Sequence, residues 1–239
     1  MQSPAPSILA YNSIVIGVVN GTRWSSPDSE LTLKARRTGY TVTIGAAKPG
    51  VTVDVIEPIG MLSGINLRGG QARYPGVVWL GPAPKFPRPV RTQTADRTLY
   101  AREVHRALNS RLVSLDQVEV TRLFRVDLDG DKVDEVLVEA RTKGLNLMGG
   151  SIDSKPGMFS GVWIRAVRNG RPTMLKLQAD VVVEDARHFD NRLAAVADFD
   201  GDGRYEVVVS SLGFESESGH VYRFRAGAAP LISEGGVGA

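Results

Sequence analysis

Residues 198–211 read DFDGDGRYEVVVSS, a run that sets Asp198, Asp200, Asp202 and Glu206 close together and passes straight into β-branched residues. The pattern recurs at residues 127–140 as DLDGDKVDEVLVEA. Aligned without a gap, Asp127, Asp129, Asp131 and Glu135 meet the four acids of the later copy. Gly130 meets Gly201, and Val136 to Val138 meet Val207 to Val209. A match of this length is an internal repeat, in which an acidic turn feeds a strand.

The spacing has a physical reason. A hard cation such as Ca²⁺ takes about six to eight oxygen ligands at roughly 2.3–2.6 Å from a pliable cage. In a tight turn the side chains at positions 1, 3 and 5 converge on one point. The carbonyl at position 7 (Val133, Arg204) faces the same point, and the acid at position 9 closes it. Without an ion the four carboxylates repel one another, and some of their pKa values rise. A solvated turn with no ion is the plainer alternative. An EF-hand is excluded, because its position 12 needs a bidentate acid and here carries Val138 or Val209.

These residues resemble the FG-GAP and VCBS-type repeats, known from the β-propellers of integrin α-chains. In that family a D-x-D-G-D-G-x-x-D/E loop binds calcium between two strands, and a later G-x-V-Y strand completes the unit. The second copy carries both parts, with Gly219, Val221 and Tyr222 in the later strand. The first offers SGVWIRAV, Ser160-Gly161 standing for Ser218-Gly219, and has Lys132 in place of a loop glycine. The resemblance implies two calcium sites. One is Asp127, Asp129, Asp131, the Val133 carbonyl and Glu135; the other is Asp198, Asp200, Asp202, the Arg204 carbonyl and Glu206. It spans roughly residues 120–228, and two repeats do not make a seven-bladed propeller. VVNGTRWSSPDSEL (18–31) together with RVDLDGD is also similar to segments of secreted bacterial proteins. The function this implies is a non-enzymatic calcium-binding module for adhesion or for binding a protein or polysaccharide partner, secreted, periplasmic or on the cell surface, with the calcium structural. The alternative is a metal-dependent hydrolase acting on an envelope polymer.

Outward from the loops, residues 1–90 read as short strands. SIVIGVV is followed by Asn20-Gly21, a hairpin signal; LTLKAR is expected to turn at Thr38-Gly39 and return as YTVTIGA; VTVDVI and VVWL follow. Pro82, Pro84, Pro87 and Pro89 then remove backbone donors, marking a linker and a soft boundary between regions 1–90 and 91–239. One helix is expected near residues 95–112, capped by Thr94 or Asp96. Tyr100, Val104, Leu108 and Leu112 form its buried stripe, and Arg97, Arg102, Arg106 and Arg111 its outer face. The fold class is therefore mainly β with one helix and a propeller-blade-like C-terminal region.

The totals limit the chemistry. The 239 residues include no cysteine, which removes disulfides and thiolate sites, and three scattered histidines give no zinc spacing. No G-x-S-x-G elbow or P-loop occurs, and no apolar run reaches the roughly 18 residues of a membrane span. Residues 1–125 carry 16 Lys/Arg against 8 Asp/Glu, and residues 126–239 carry 13 against 18. Two calcium ions would nearly neutralise the acidic half. The arginine stripe lacks interleaved aromatics, so nucleic acid is not expected as a partner. His188 and Asp190 read as a surface turn, Asp134 as a spare carboxylate for the first loop, and Trp163 and Tyr222 as core. The first copy also holds a 13-residue insertion within residues 142–161, rich in glycine and apolar side chains.

Overall fold

In the computed structural model the described residues are 6–12, 14–27, 36–59, 62–68, 76–145, 154–168, 170–184 and 188–238. Strand dominates. β1 (Ser7–Tyr11), β2 (Ile14–Asn20), β3 (Arg23–Ser25), β4 (Arg37–Thr43), β5 (Ala46–Ile59), β6 (Leu62–Arg68) and β7 (Val77–Leu80) form one antiparallel sheet. Its order is β1-β7-β4-β5-β6-β2-β3, and β1 pairs with β2 as well. Among the described residues β2 joins β6 at Ile14↔Gly64, and with β1 paired to both β7 and β2 the sheet curls back on itself. Ile8, Ala10, Val15, Val18, Val78 and Leu80 form a core on the inside of the curl. The alternating residues Leu9, Tyr11, Val77 and Trp79 face the rest of the molecule, as the two-residue period requires.

The C-terminal region holds two meanders. β9 (Val118–Val126), β10 (Glu135–Thr142), β11 (Phe159–Arg168) and β12 (Arg171–Val181) make the first, with β8 (Arg91–Thr92) added at its edge. β13 (Asp190–Ala197), β14 (Glu206–Leu212), β15 (Ser216–Arg223) and β16 (Leu231–Gly238) make the second. Each acidic run is the turn between the first two strands of its meander. The protein is thus mainly β, and its described residues form two blade-like sheets and no complete propeller.

The layers run helix, first meander, second meander, N-terminal sheet. α1 (Arg97–Leu108) lays Tyr100 and Val104 on Val120, Leu123, Val136, Val138 and Trp163. The opposite face of that meander, including Leu137 and Ile164, meets Val207, Val209 and Tyr222 of the second. Val208, Val221 and Ala195 on the far side of the second meander meet Leu9, Ile16, Val42 and Trp79 of the N-terminal sheet. The second meander is therefore covered on both faces. That is why its strands read as unbroken apolar runs (LAAVA, EVVV) and not as an alternation.

Several local expectations change. The helix stops at Leu108 because Asn109 takes a left-handed conformation (φ 47°), which leaves Leu112 beyond it and exposed. Asp96 holds the cap position with φ 64°, and neither it nor Thr94 supplies a side-chain capping bond. β4 runs straight through Thr38-Gly39 and turns at Ile44-Gly45 instead. Gly39 is needed for closeness: a Cβ there would stand 2.2 Å from the Trp79 carbonyl oxygen. The first hairpin turn uses Gly21-Thr22, one residue later than expected, since Asn20 still pairs with Arg23. Residues 31–35 of LTLKAR, and residues 146–153 of the insertion, lie outside the described residues.

Candidate metal centres

The first loop folds around Asp127. Its Oδ1 accepts the Gly130 N–H (2.7 Å) and its Oδ2 the Lys132 N–H (3.1 Å), while Asp131 accepts the Val133 N–H (2.7 Å). Glu135, at the start of β10, accepts the Leu128 N–H (2.9 Å). Such bonds bend the chain so that oxygens of Asp127, Asp129 and Glu135 lie within 4.8 Å of one another. Asp129 Oδ2 accepts the Ala226 N–H across the meander interface (3.2 Å). Asp129 Oδ1 is buried and has no partner. A buried carboxylate oxygen facing two other acids is costly unless a cation compensates it. Burial pushes Glu135 up to about 7, and the charges of Asp129, Asp131 and Asp127 push the same way against the Leu128 N–H.

The second loop repeats these backbone contacts. Asp198 accepts the Gly201 and Gly203 N–H groups (2.7 and 3.0 Å), Asp202 the Arg204 N–H (2.8 Å) and Glu206 the Phe199 N–H (3.0 Å). Asp198, Asp200 and Glu206 again converge within 4.8 Å. Lys132 adopts the left-handed conformation (φ 73°) that Gly203 takes at the matching position (φ 88°), so the missing glycine does not alter the turn. Here, however, Asp200 is fully engaged. Its Oδ2 accepts the Trp24 Nε1–H from the N-terminal sheet (2.9 Å) and also a hydrogen bond from Arg223 Nη2, and its Oδ1 accepts the Asp202 N–H (3.1 Å). The Arg223 fork also donates to Glu206 Oε1 through Nε and Nη2 (2.8 and 2.7 Å). Burial and the Asp200 charge push Glu206 upward while Arg223 pulls it back. Burial works against the Arg223 charge, but Glu206, Asp200 and Asp202 outweigh it and hold the guanidinium protonated.

The two loops touch. Tyr205, at the end of the second, donates its N–H to the Leu128 carbonyl in the first (2.9 Å). The proline-rich segment spans both: Lys85 exchanges backbone hydrogen bonds with Asp198, and Arg88 donates to the carbonyls of Asp127 (2.5 Å) and Leu128 (3.1 Å). Arg88, Trp24 and Arg223 all lie outside the two acidic runs. They reach the loops from the proline-rich segment, from β3 and from β15, and no spacing within a loop could signal them.

Of the ten residues expected as ligands, the structure brings together Asp127, Asp129 and Glu135, and separately Asp198, Asp200 and Glu206. Asp131 and Asp202 stand outside these triads and brace the turns, receiving the N–H groups of Val133 and Arg204. Asp134 faces away from the first loop and pairs with Arg91 (3.6 Å) and Arg125 (3.4 Å). His188 and Asp190 are buried, at 1% and 4% exposure, and do not form a surface turn. Asp190 pairs with Arg192 (2.5 Å), and His188 Nδ1 lies 3.3 Å from Asp180. Trp163 and Tyr222 are core residues as expected. Arg102, Arg106 and Arg111 stay exposed around a cavity of ≈ 670 Å³ at the helix end, shared with His105.

No protein-family model matches the chain, and no curated protein or solved structure is significantly similar to it. Among the described residues, no helix is long and apolar enough to cross a membrane.

Proposed function

We propose that this is a calcium-stabilised β-repeat module of the FG-GAP/VCBS kind, non-enzymatic and working outside the cytoplasm through a protein or polysaccharide partner. The observation that carries the reading is the unpartnered, buried Asp129 Oδ1 facing Asp127 and Glu135. An all-oxygen donor set suits a hard cation, and a turn built from backbone and carboxylate oxygens has the pliability Ca²⁺ accepts more readily than Mg²⁺. Burial of Asp127 and Glu135 between the two meanders favours an ion that fixes the interface over one that meets substrate, since catalysis needs an open coordination position in a cleft. The secreted, periplasmic or surface setting is part of the proposal and goes with an affinity in the range of extracellular modules, about 10⁻⁴–10⁻³ M, which is filled where calcium is millimolar.

The test is calorimetric titration of the full chain with Ca²⁺ and with Mg²⁺, beside Asp129→Asn. The expected result is calcium binding that Mg²⁺ does not reproduce and that the substitution removes. Absence of calcium heat in the wild-type chain, or heat unaltered by Asp129→Asn, would overturn the assignment.

A further inference from the structure

We infer that the second acidic loop already contains its cation, the Arg223 guanidinium, and takes no metal ion while Arg223 is in place. Arg223 donates to Glu206 Oε1 through two nitrogens and to Asp200 Oδ2, and its Nη1 lies 3.6 Å from Asp202 Oδ2. The side chains of Asp200 and Glu206 have no solvent exposure, so an entering ion must displace the guanidinium. A planar fork on two carboxylates is a geometry arginine satisfies and lysine does not. Trp24 Nε1–H occupies Asp200 Oδ2 as well, so the loop has no spare oxygen corresponding to Asp129 Oδ1.

The first loop lacks this occupant because of one residue of register. By sequence alone Ser160-Gly161 matches Ser218-Gly219, which would make Arg165 the counterpart of Arg223. The strand pairing differs: Val136 opposes Arg165 whereas Val207 opposes Tyr222. Continued by one residue, the first register would set Ala166 opposite Glu135, whereas Arg223 pairs opposite Glu206. A one-residue slip sends a side chain to the other face of its sheet. Arg165 accordingly points to the helix, where its Nε donates to Glu103 (2.7 Å) and its guanidinium lies over Tyr100. Two loops of almost equal sequence thus differ in charge balance: in the first the nearby guanidinium, Arg88, lies 3.7 Å from Asp127 Oδ2, donates to backbone carbonyls and leaves Asp129 Oδ1 unpartnered, whereas in the second Arg223 bridges Asp200 and Glu206 directly.

This rests on the calcium reading for the ion at the first loop, but the claim about Arg223 stands apart from it. Calorimetric counting of Ca²⁺ on the wild-type chain and on Arg223→Gln separates the two. The expected counts are about one ion and about two, with the added site lost again when Asp200→Asn is combined with Arg223→Gln. A wild-type count of two would overturn the inference and leave the calcium reading intact. A wild-type count of zero with a gain in Arg223→Gln would remove the first-loop ion and uphold Arg223 as the blocking group. No gain in the variant would overturn the inference. Should Arg223→Gln fail to fold, wild-type crystals soaked in Tb³⁺ decide: anomalous signal at the first loop alone supports the inference, and signal at Asp198 and Asp200 overturns it.

Discussion

Glu135 is where the chemistry of the first loop can be read most directly. Its carboxyl is raised from an ordinary value of 4.5 to about 7 by burial and by the neighbouring acids. In the metal-free protein the folded state then holds a proton that the unfolded chain has already lost. Between about pH 4.5 and pH 7 rising pH therefore costs stability, on the order of a few kcal/mol at most. Melting curves in chelator should show the metal-free chain more stable at pH 5 than at pH 8. A bound divalent ion favours the carboxylate, so calcium should bind more tightly as pH rises through 7 and reverse that slope. Asp129→Asn should remove the calcium response and leave the metal-free protein at least as stable as wild type, because it takes a negative charge out of the cluster. A metal-free wild type that stabilises steadily from pH 5 to pH 8 would contradict this account of Glu135.

At the scale of the element, close approach and register decide more than propensity does. Gly39→Ala would drive a Cβ into the Trp79 carbonyl and should cost about 1–3 kcal/mol, measured by denaturant unfolding. Trp24→Phe keeps the aromatic contacts with Trp79 and Phe199 but removes the donor to Asp200, for a loss of roughly 1–3 kcal/mol. These elements also show what the sequence could convey. The acidic turns, the strands after them and the helix's Tyr100–Val104 stripe were legible because each signal is local: a spacing, an apolar run, a four-residue period. Gly39 misleads in one dimension, because a glycine admitting a neighbouring strand's carbonyl looks like a glycine making a turn. The counterpart of Arg223 was hidden for a related reason. Whether Arg165 or Ala166 faces Glu135 depends on how β11 pairs with β10, and both alignments look alike along the chain.

Across the whole molecule, the second meander is the middle layer, and each acidic loop lies at one of its two interfaces. Asp129 reaches Ala226 from the first meander to the second, and Asp200 reaches Trp24 from the second meander to the N-terminal sheet. The proline-rich segment, sequence-marked as a linker, ties the layers through Lys85 and Arg88. Residues 91–239 alone would leave Ala195, Ala197, Val208 and Val221 without the N-terminal sheet that covers them. That fragment should aggregate or lose its cooperative melt, while the full chain should unfold in one transition seen equally by far-ultraviolet circular dichroism and tryptophan fluorescence. Two well-separated transitions in the full chain would mean that the shared core contributes little.

The claim beneath all of this is that the first loop's acids are held together by a divalent ion. The most direct test is the melting temperature of the full chain in excess chelator and in millimolar calcium, at neutral pH and constant ionic strength. The account predicts a rise with calcium, matching on the order of 1 kcal/mol in millimolar calcium for a Kd of about 10⁻⁴–10⁻³ M, and a rise that Asp129→Asn abolishes. The same melting temperature in both solutions would contradict it.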